Sequence, residues 1–209
     1  MKKILIKIGL PIVLLVAATL IVGPSCGSTV PDPVATTPTC TTTNTLFQQV
    51  FAATATANPS FQDVSTMDLL THQYTFTVNA NKTICSIGYQ GNATLFANNL
   101  PYTIEIVDTT TNAVIYTGNH LFGSTATSYV SITPVNLIAN QSYTIRRTLP
   151  AGGYGGNIGN TIGRILRFTS SSSVFPVTSG GFTITGSNFY GTGGPVVNFG
   201  IPYIDIVFQ

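Results

Sequence analysis

YTFTVNANKTICSIGY, residues 74–89, decides the fold class. Tyr74, Phe76 and Val78 alternate with threonines, and Cys85, Ile87 and Tyr89 alternate with Ser86 and Gly88. A period of two sends successive side chains to opposite faces of an extended chain, and the intervening NANK supplies turn residues. The stretch therefore reads as two strands, each with one apolar face. Working outward, the same period recurs in YTIEI, with Tyr102, Ile104 and Ile106 in phase. It recurs again at 113–117, 129–133, 142–148, 164–169, 182–185 and 203–208, each run bounded by Asn, Gly, Pro or Ser. About nine short strands without a long helical pattern predict an all-β domain, an antiparallel β-sandwich or jelly roll, over residues 73–209.

Upstream the pattern changes. In TLFQQVFAAT, Thr45 and Gln48 stand at capping-box spacing, and Leu46, Phe47, Val50 and Phe51 fall at helical spacing. This predicts one short helix in a leading segment, residues 46–72. Residues 26–45, rich in Thr and Pro, carry too little apolar surface to fold and read as a tether. Residues 1–25 combine a basic start (Lys2, Lys3), an apolar run from Ile8 to Val22 and the small-residue stretch Gly23-Pro24-Ser25. That is a signal peptide pattern.

Its junction with Cys26 resembles a bacterial lipoprotein signal. The resemblance implies cleavage before Cys26, a lipid on that cysteine and an extracytoplasmic chain anchored to a membrane; without the lipid the chain would be freely secreted. The other cysteines are Cys40 and Cys85. If Cys26 is acylated they form an even pair, and a disulfide between them would close a loop of about 45 residues. Cys85 as a small buried apolar residue with Cys40 as a free thiol fits the sequence as well.

Charge narrows the list of partners. Three of the eight basic residues lie in the signal, which leaves Lys82, Arg146, Arg147, Arg164 and Arg167 against six acids. A chain so poor in cations lacks the cluster that phosphate binding needs, and nucleic acid is excluded as a partner.

Catalytic chemistry finds little support. The glycine-rich AGGYGGNIGNTIG, residues 151–163, has Ile158 where a dinucleotide loop would need its third glycine. It reads as a long surface loop, as does TSSSSVFPVTSGG at 169–181, and Tyr154 between glycines is the residue placed to offer a ring face to a ligand. His72 and His120 have no partner at metal-ligand spacing and are expected at the surface or in turns. Glu105 and Asp205 would make a glycosidase pair only on neighbouring strands; otherwise they pair with Arg146, Arg147, Arg164 or Arg167 on a solvent face. Asp108 opens DTTTN and reads as a turn residue. Neither a nucleophile elbow nor a Cys–His pair is present. No catalytic residue, metal or cofactor is assigned.

NKTICSIGYQG (81–91), YTIEIVDTTTNAVIYTG (102–118), YVSITPVNLIANQSYTI (129–145) and YIDIVF (203–208) together resemble secreted bacterial β-sandwich modules of unknown function, often appended to carbohydrate-active and surface proteins. The resemblance implies the fold and an extracytoplasmic address and carries over no catalytic residue. The expectation is a non-catalytic binding module for a glycan or a surface protein. Low charge also suits a structural subunit that assembles with its own copies, because few charges guard the strand edges. A glycan hydrolase is the third reading.

Overall fold

The computed structural model describes residues 39–66, 69–151, 163–169, 174–191 and 194–209. The expected signal segment (1–25), Cys26 and Tyr154 lie outside the described residues. The chain begins with helix α1 (Leu46–Ala57), strands β1 (Gln62–Thr66), β2 (Thr71–Val78) and β3 (Lys82–Tyr89), and a single-turn helix α2 (Ala93–Ala97). Strands β4 (Tyr102–Asp108), β5 (Ala113–His120), β6 (Ser128–Leu137), β7 (Ser142–Thr148) and β8 (Gly163–Arg167) follow. The last are β9 (Val177–Ser179), β10 (Phe182–Gly191), β11 (Gly194–Val197), β12 (Gly200–Pro202) and β13 (Asp205–Phe208).

Every strand pair is antiparallel. The largest sheet runs β11-β10-β2-β7-β4-β5, with β9 also on β10; two three-stranded sheets run β1-β8-β12 and β13-β3-β6. The alternation that opened the analysis is what joins them. Tyr74 and Phe76 of β2, Ile104 and Ile106 of β4 and Ile145 of β7 send one face of the large sheet inward. Ile84, Ile87 and Tyr89 of β3, Leu166 of β8 and Ile206 of β13 belong to the same core cluster. The result is the expected antiparallel sandwich.

The strand count differs from the expected nine: thirteen strands lie among the described residues. β1 (QDVST), β9 (VTS) and β11 (GPVV) are short and lack apolar alternation, so the sequence pattern hides them. The closing run, expected as one strand at 203–208, is strand only over Asp205–Phe208, while Gly200–Pro202 just before it form a strand of a different sheet. Tyr203 N–H donates to Arg164 O at 2.8 Å and Ile204 N–H to Pro202 O at 2.9 Å, and across this bend the chain passes from β12 to β13.

The segment before residue 73 is built into the body. Pro38–Gln209 form one compact unit. Phe47, Val50 and Phe51 of α1 are buried in the common core, where Phe47 packs on Tyr74 and Tyr203 with ring centroids 5.5 and 5.1 Å apart. β1 pairs along its length with β8. The end of the Thr-rich stretch is fastened too, because Cys40 and Cys85 are joined by a disulfide.

Candidate functional site

α1 starts with a capping box. Thr45 Oγ1 accepts from Gln48 N–H at 3.0 Å, and the Gln48 side chain accepts from Thr45 N–H at 3.4 Å. The same two side chains turn to Asp205 on β13: Thr45 Oγ1 donates to Oδ1 at 2.7 Å and Gln48 Nε2 to Oδ2 at 2.8 Å. Tyr129 Oη, from β6, donates to Oδ2 at 2.7 Å. Asp205 is fully buried, and burial raises its carboxyl above the ordinary range although the three donors pull it down. This corrects the expectation of a carboxylate paired with arginine on a solvent face. With its oxygens held by three structural donors, Asp205 is a fastening between helix and sheets rather than an acid or base.

Glu105 does face solvent, on the outer side of β4, where Arg146 Nε of the adjoining β7 donates to Oε2 at 2.8 Å in cross-strand register. Glu105 and Asp205 thus occupy different sheets, one on an outer face and one in the core. They do not form a carboxylate pair across a substrate. Asp108 accepts from Gln141 Nε2 and from the N–H groups of Thr110 and Thr111, and these hydrogen bonds, Gln141's first, hold its carboxyl below the ordinary range. Asn112 in that turn has φ +57°, a left-handed geometry that asparagine tolerates. Among the described residues no three His, Cys, Asp or Glu side chains gather as metal ligands.

The two histidines part company. His120 ends β5, half-buried, with Nε2 2.6 Å from Tyr116 Oη. His72 is fully buried in β2, between β7 and β10, against the expectation of a surface or turn residue. The sequence did hold a signal, since position 72 is in phase with Tyr74, Phe76 and Val78. Its ring meets Phe189 edge-on at 5.0 Å, and neither ring nitrogen has a hydrogen-bond partner among the described residues.

A polar concavity lies on the β1–β8 pair. Asp63 and Ser65 of β1 and Arg164 of β8 share one face, because Ser65 stands opposite Arg164 in the register and Asp63 is two residues away. The Arg164 guanidinium binds Asp63 with both ends, Nε to Oδ1 at 2.9 Å and Nη2 to Oδ2 at 2.7 Å. It also lies 4.1 Å from the Tyr203 ring centroid, which fixes its plane. Gln90 and Thr127 stand on the facing wall of a cleft of about 350 Å³. Gln90 is anchored through Nε2 to Ser124 O at 2.9 Å. A carboxylate, a guanidinium, an amide and two hydroxyls around one open cleft supply fixed donors and acceptors for a polyhydroxylated ligand. The glycine-rich segment that carries Tyr154 enters β8 at Gly163, one residue before Arg164. Sequence reasoning missed this cleft because Asp63 and Arg164 are 101 residues apart.

Compared with known proteins, the chain matches no family model and no curated protein.

Proposed function

We propose that this chain is a non-catalytic, extracytoplasmic binding module that takes a glycan in the cleft between the Asp63–Arg164 pair and Gln90–Thr127. The observation that carries the reading is the bidentate ion pair on an open cleft wall, with further planar and hydroxyl groups facing it. Planar polar side chains held in a fixed fork suit the paired hydroxyls of a sugar. The proposed stacking ring is Tyr154, nine residues before Gly163 in the chain. The likeness to modules of carbohydrate-active and surface proteins supports the same reading, and the signal pattern of residues 1–25, whose junction with Cys26 resembles a lipoprotein signal, supports an extracytoplasmic, lipid-anchored module. Intact mass of membrane-fraction protein reads that anchor as loss of residues 1–25 plus an acyl mass.

A glycan array followed by calorimetry tests the binding. Gln90→Ala and Tyr154→Ala should each weaken the best glycan by about tenfold, the worth of one good hydrogen bond or stacking contact, with the melting temperature unchanged. Glycan affinity untouched by both substitutions, or no glycan bound at all, would overturn the proposal.

A second reading, a self-assembling surface subunit, draws on the edge strand β11, all four residues of which are exposed, Val196 by 46% and Val197 by 62%. An apolar strand edge is a template for another chain. Ordered polymers that grow with concentration would select this reading.

A further inference from the structure

The cleft on β1 and β8 carries two opposite charges and pairs them with each other. Asp63 and Arg164 are the charged residues among its described walls, and their side chains are 41% and 34% exposed, within reach of a ligand. Given the glycan reading of this cleft, on which the assignment rests, we propose that the site takes uncharged sugars and that Asp63 is the residue that turns acidic sugars away.

Arg164 donates from Nε and Nη2 to the two oxygens of Asp63, at 2.9 and 2.7 Å. Two parallel N–H···O bonds are the geometry in which arginine grips a carboxylate, and Asp63 already holds them. The guanidinium plane is fixed as well, with the Tyr203 ring centroid at 4.1 Å and the Phe51 centroid at 5.3 Å. Swinging Arg164 toward a ligand would therefore break the ion pair and the stacking together. The N–H groups left at its end can donate to a hydroxyl oxygen. A carboxylate in the same place would lie beside the Asp63 charge, a repulsive contact of the kind that builds selectivity.

The other polar walls favour the same class. Gln90 donates from Nε2 to Ser124 O at 2.9 Å, which leaves Oε1 as its acceptor. Ser65 and Thr127 each offer a hydroxyl that donates or accepts. A sugar hydroxyl also does both and can answer each of these groups. An ionised carboxylate only accepts and can answer neither Gln90 Oε1 nor Asp63.

The test uses the full-length exported protein on an array that carries neutral oligosaccharides beside uronic-acid ones. The tightest neutral hexose oligosaccharide, and the same molecule with its primary hydroxyls oxidised to carboxylates, are then titrated by calorimetry. The neutral form should bind more tightly by about tenfold or more. Raised salt should leave the neutral affinity unchanged and narrow the gap, because it screens the repulsion at a half-exposed site. Asp63→Asn, which keeps an acceptor for Arg164 and removes the charge, should cut the preference to less than about threefold, whereas Asp63→Glu should retain it. Equal affinity for the two forms, an acidic glycan as the tightest ligand, or a preference that survives Asp63→Asn would overturn the assignment and leave the glycan reading standing. An array on which nothing binds would overturn both.

Discussion

Asp205 and His72 are both fully buried, yet Asp205 accepts hydrogen bonds from three side chains of α1, its cap and β6, whereas His72 meets an aromatic edge and the wall of a cavity. The first carboxylate is surrounded because elements far apart in the chain converge on it: Thr45 lies 160 residues from Asp205 and Tyr129 lies 76. The histidine reaches the interior by strand phase alone. A buried polar group that collects partners from several elements holds an architecture together; His72 collects none among the described residues and is held by ring packing on Phe189. Three measurements press on that contrast.

The largest effect is expected at Asp205. Replacing it with alanine leaves the donors of Thr45, Gln48 and Tyr129 facing an apolar methyl and removes the link between α1 and β13. Unfolding in urea should show a loss of about 3–5 kcal/mol, as when one partner of a buried charged network is deleted. A loss below about 1 kcal/mol would mean that the network does not fasten the helix, and the contrast with His72 would collapse.

An intermediate effect separates the two groups by the sign of their pH dependence. The imidazole of His72 is held well below its ordinary 6.5, first by burial and then by Arg147. Below that value the unfolded chain takes up a proton that the folded chain refuses, so stability falls on acidification, by at most about 1.4 kcal/mol per pH unit. Asp205 has the opposite sign. Its folded carboxyl is raised above the ordinary 3.8, so its contribution is greatest at low pH and is lost as pH rises through the raised value. Unfolding free energies measured from about pH 7 to about pH 5 should therefore decline in the unaltered protein and decline less in His72→Phe. Equal slopes in the two proteins would show that His72 is protonated in the folded state, which the cavity could not accommodate.

The smallest effect is expected at Glu105, whose pair with Arg146 is partly exposed on the outer sheet face. Glu105→Ala should cost less than about 1 kcal/mol, by the same urea titration. It supplies the baseline against which a buried carboxylate is judged. A cost comparable to that of Asp205→Ala would mean that burial is not what distinguishes the two acids.

Local pattern carried much of the fold. The period of two at Tyr74, Phe76 and Val78 and at Tyr102, Ile104 and Ile106 determined which side chains face inward, because extended backbone leaves no other choice. The Thr45–Gln48 spacing determined where α1 begins, since the cap answers N–H groups within one turn. Asp108 was legible as a turn residue for the same reason: its turn partners Thr110 and Thr111 are two and three residues away, whereas Gln141, 33 residues on, was not legible. Tertiary structure alone decided which strand lies beside which, that the chain passes from β12 to β13 of another sheet at Tyr203-Ile204, and that β1 completes a sheet with β8. It alone brought Asp63 to Arg164 and Thr45 to Asp205. Periodicity specifies a face but not the strand beside it or the layer above it, and whether a polar side chain is buried with partners depends on groups a hundred or more residues distant. The candidate cleft and the His72 cavity belong to that second kind of information, and the apolar alternation to the first.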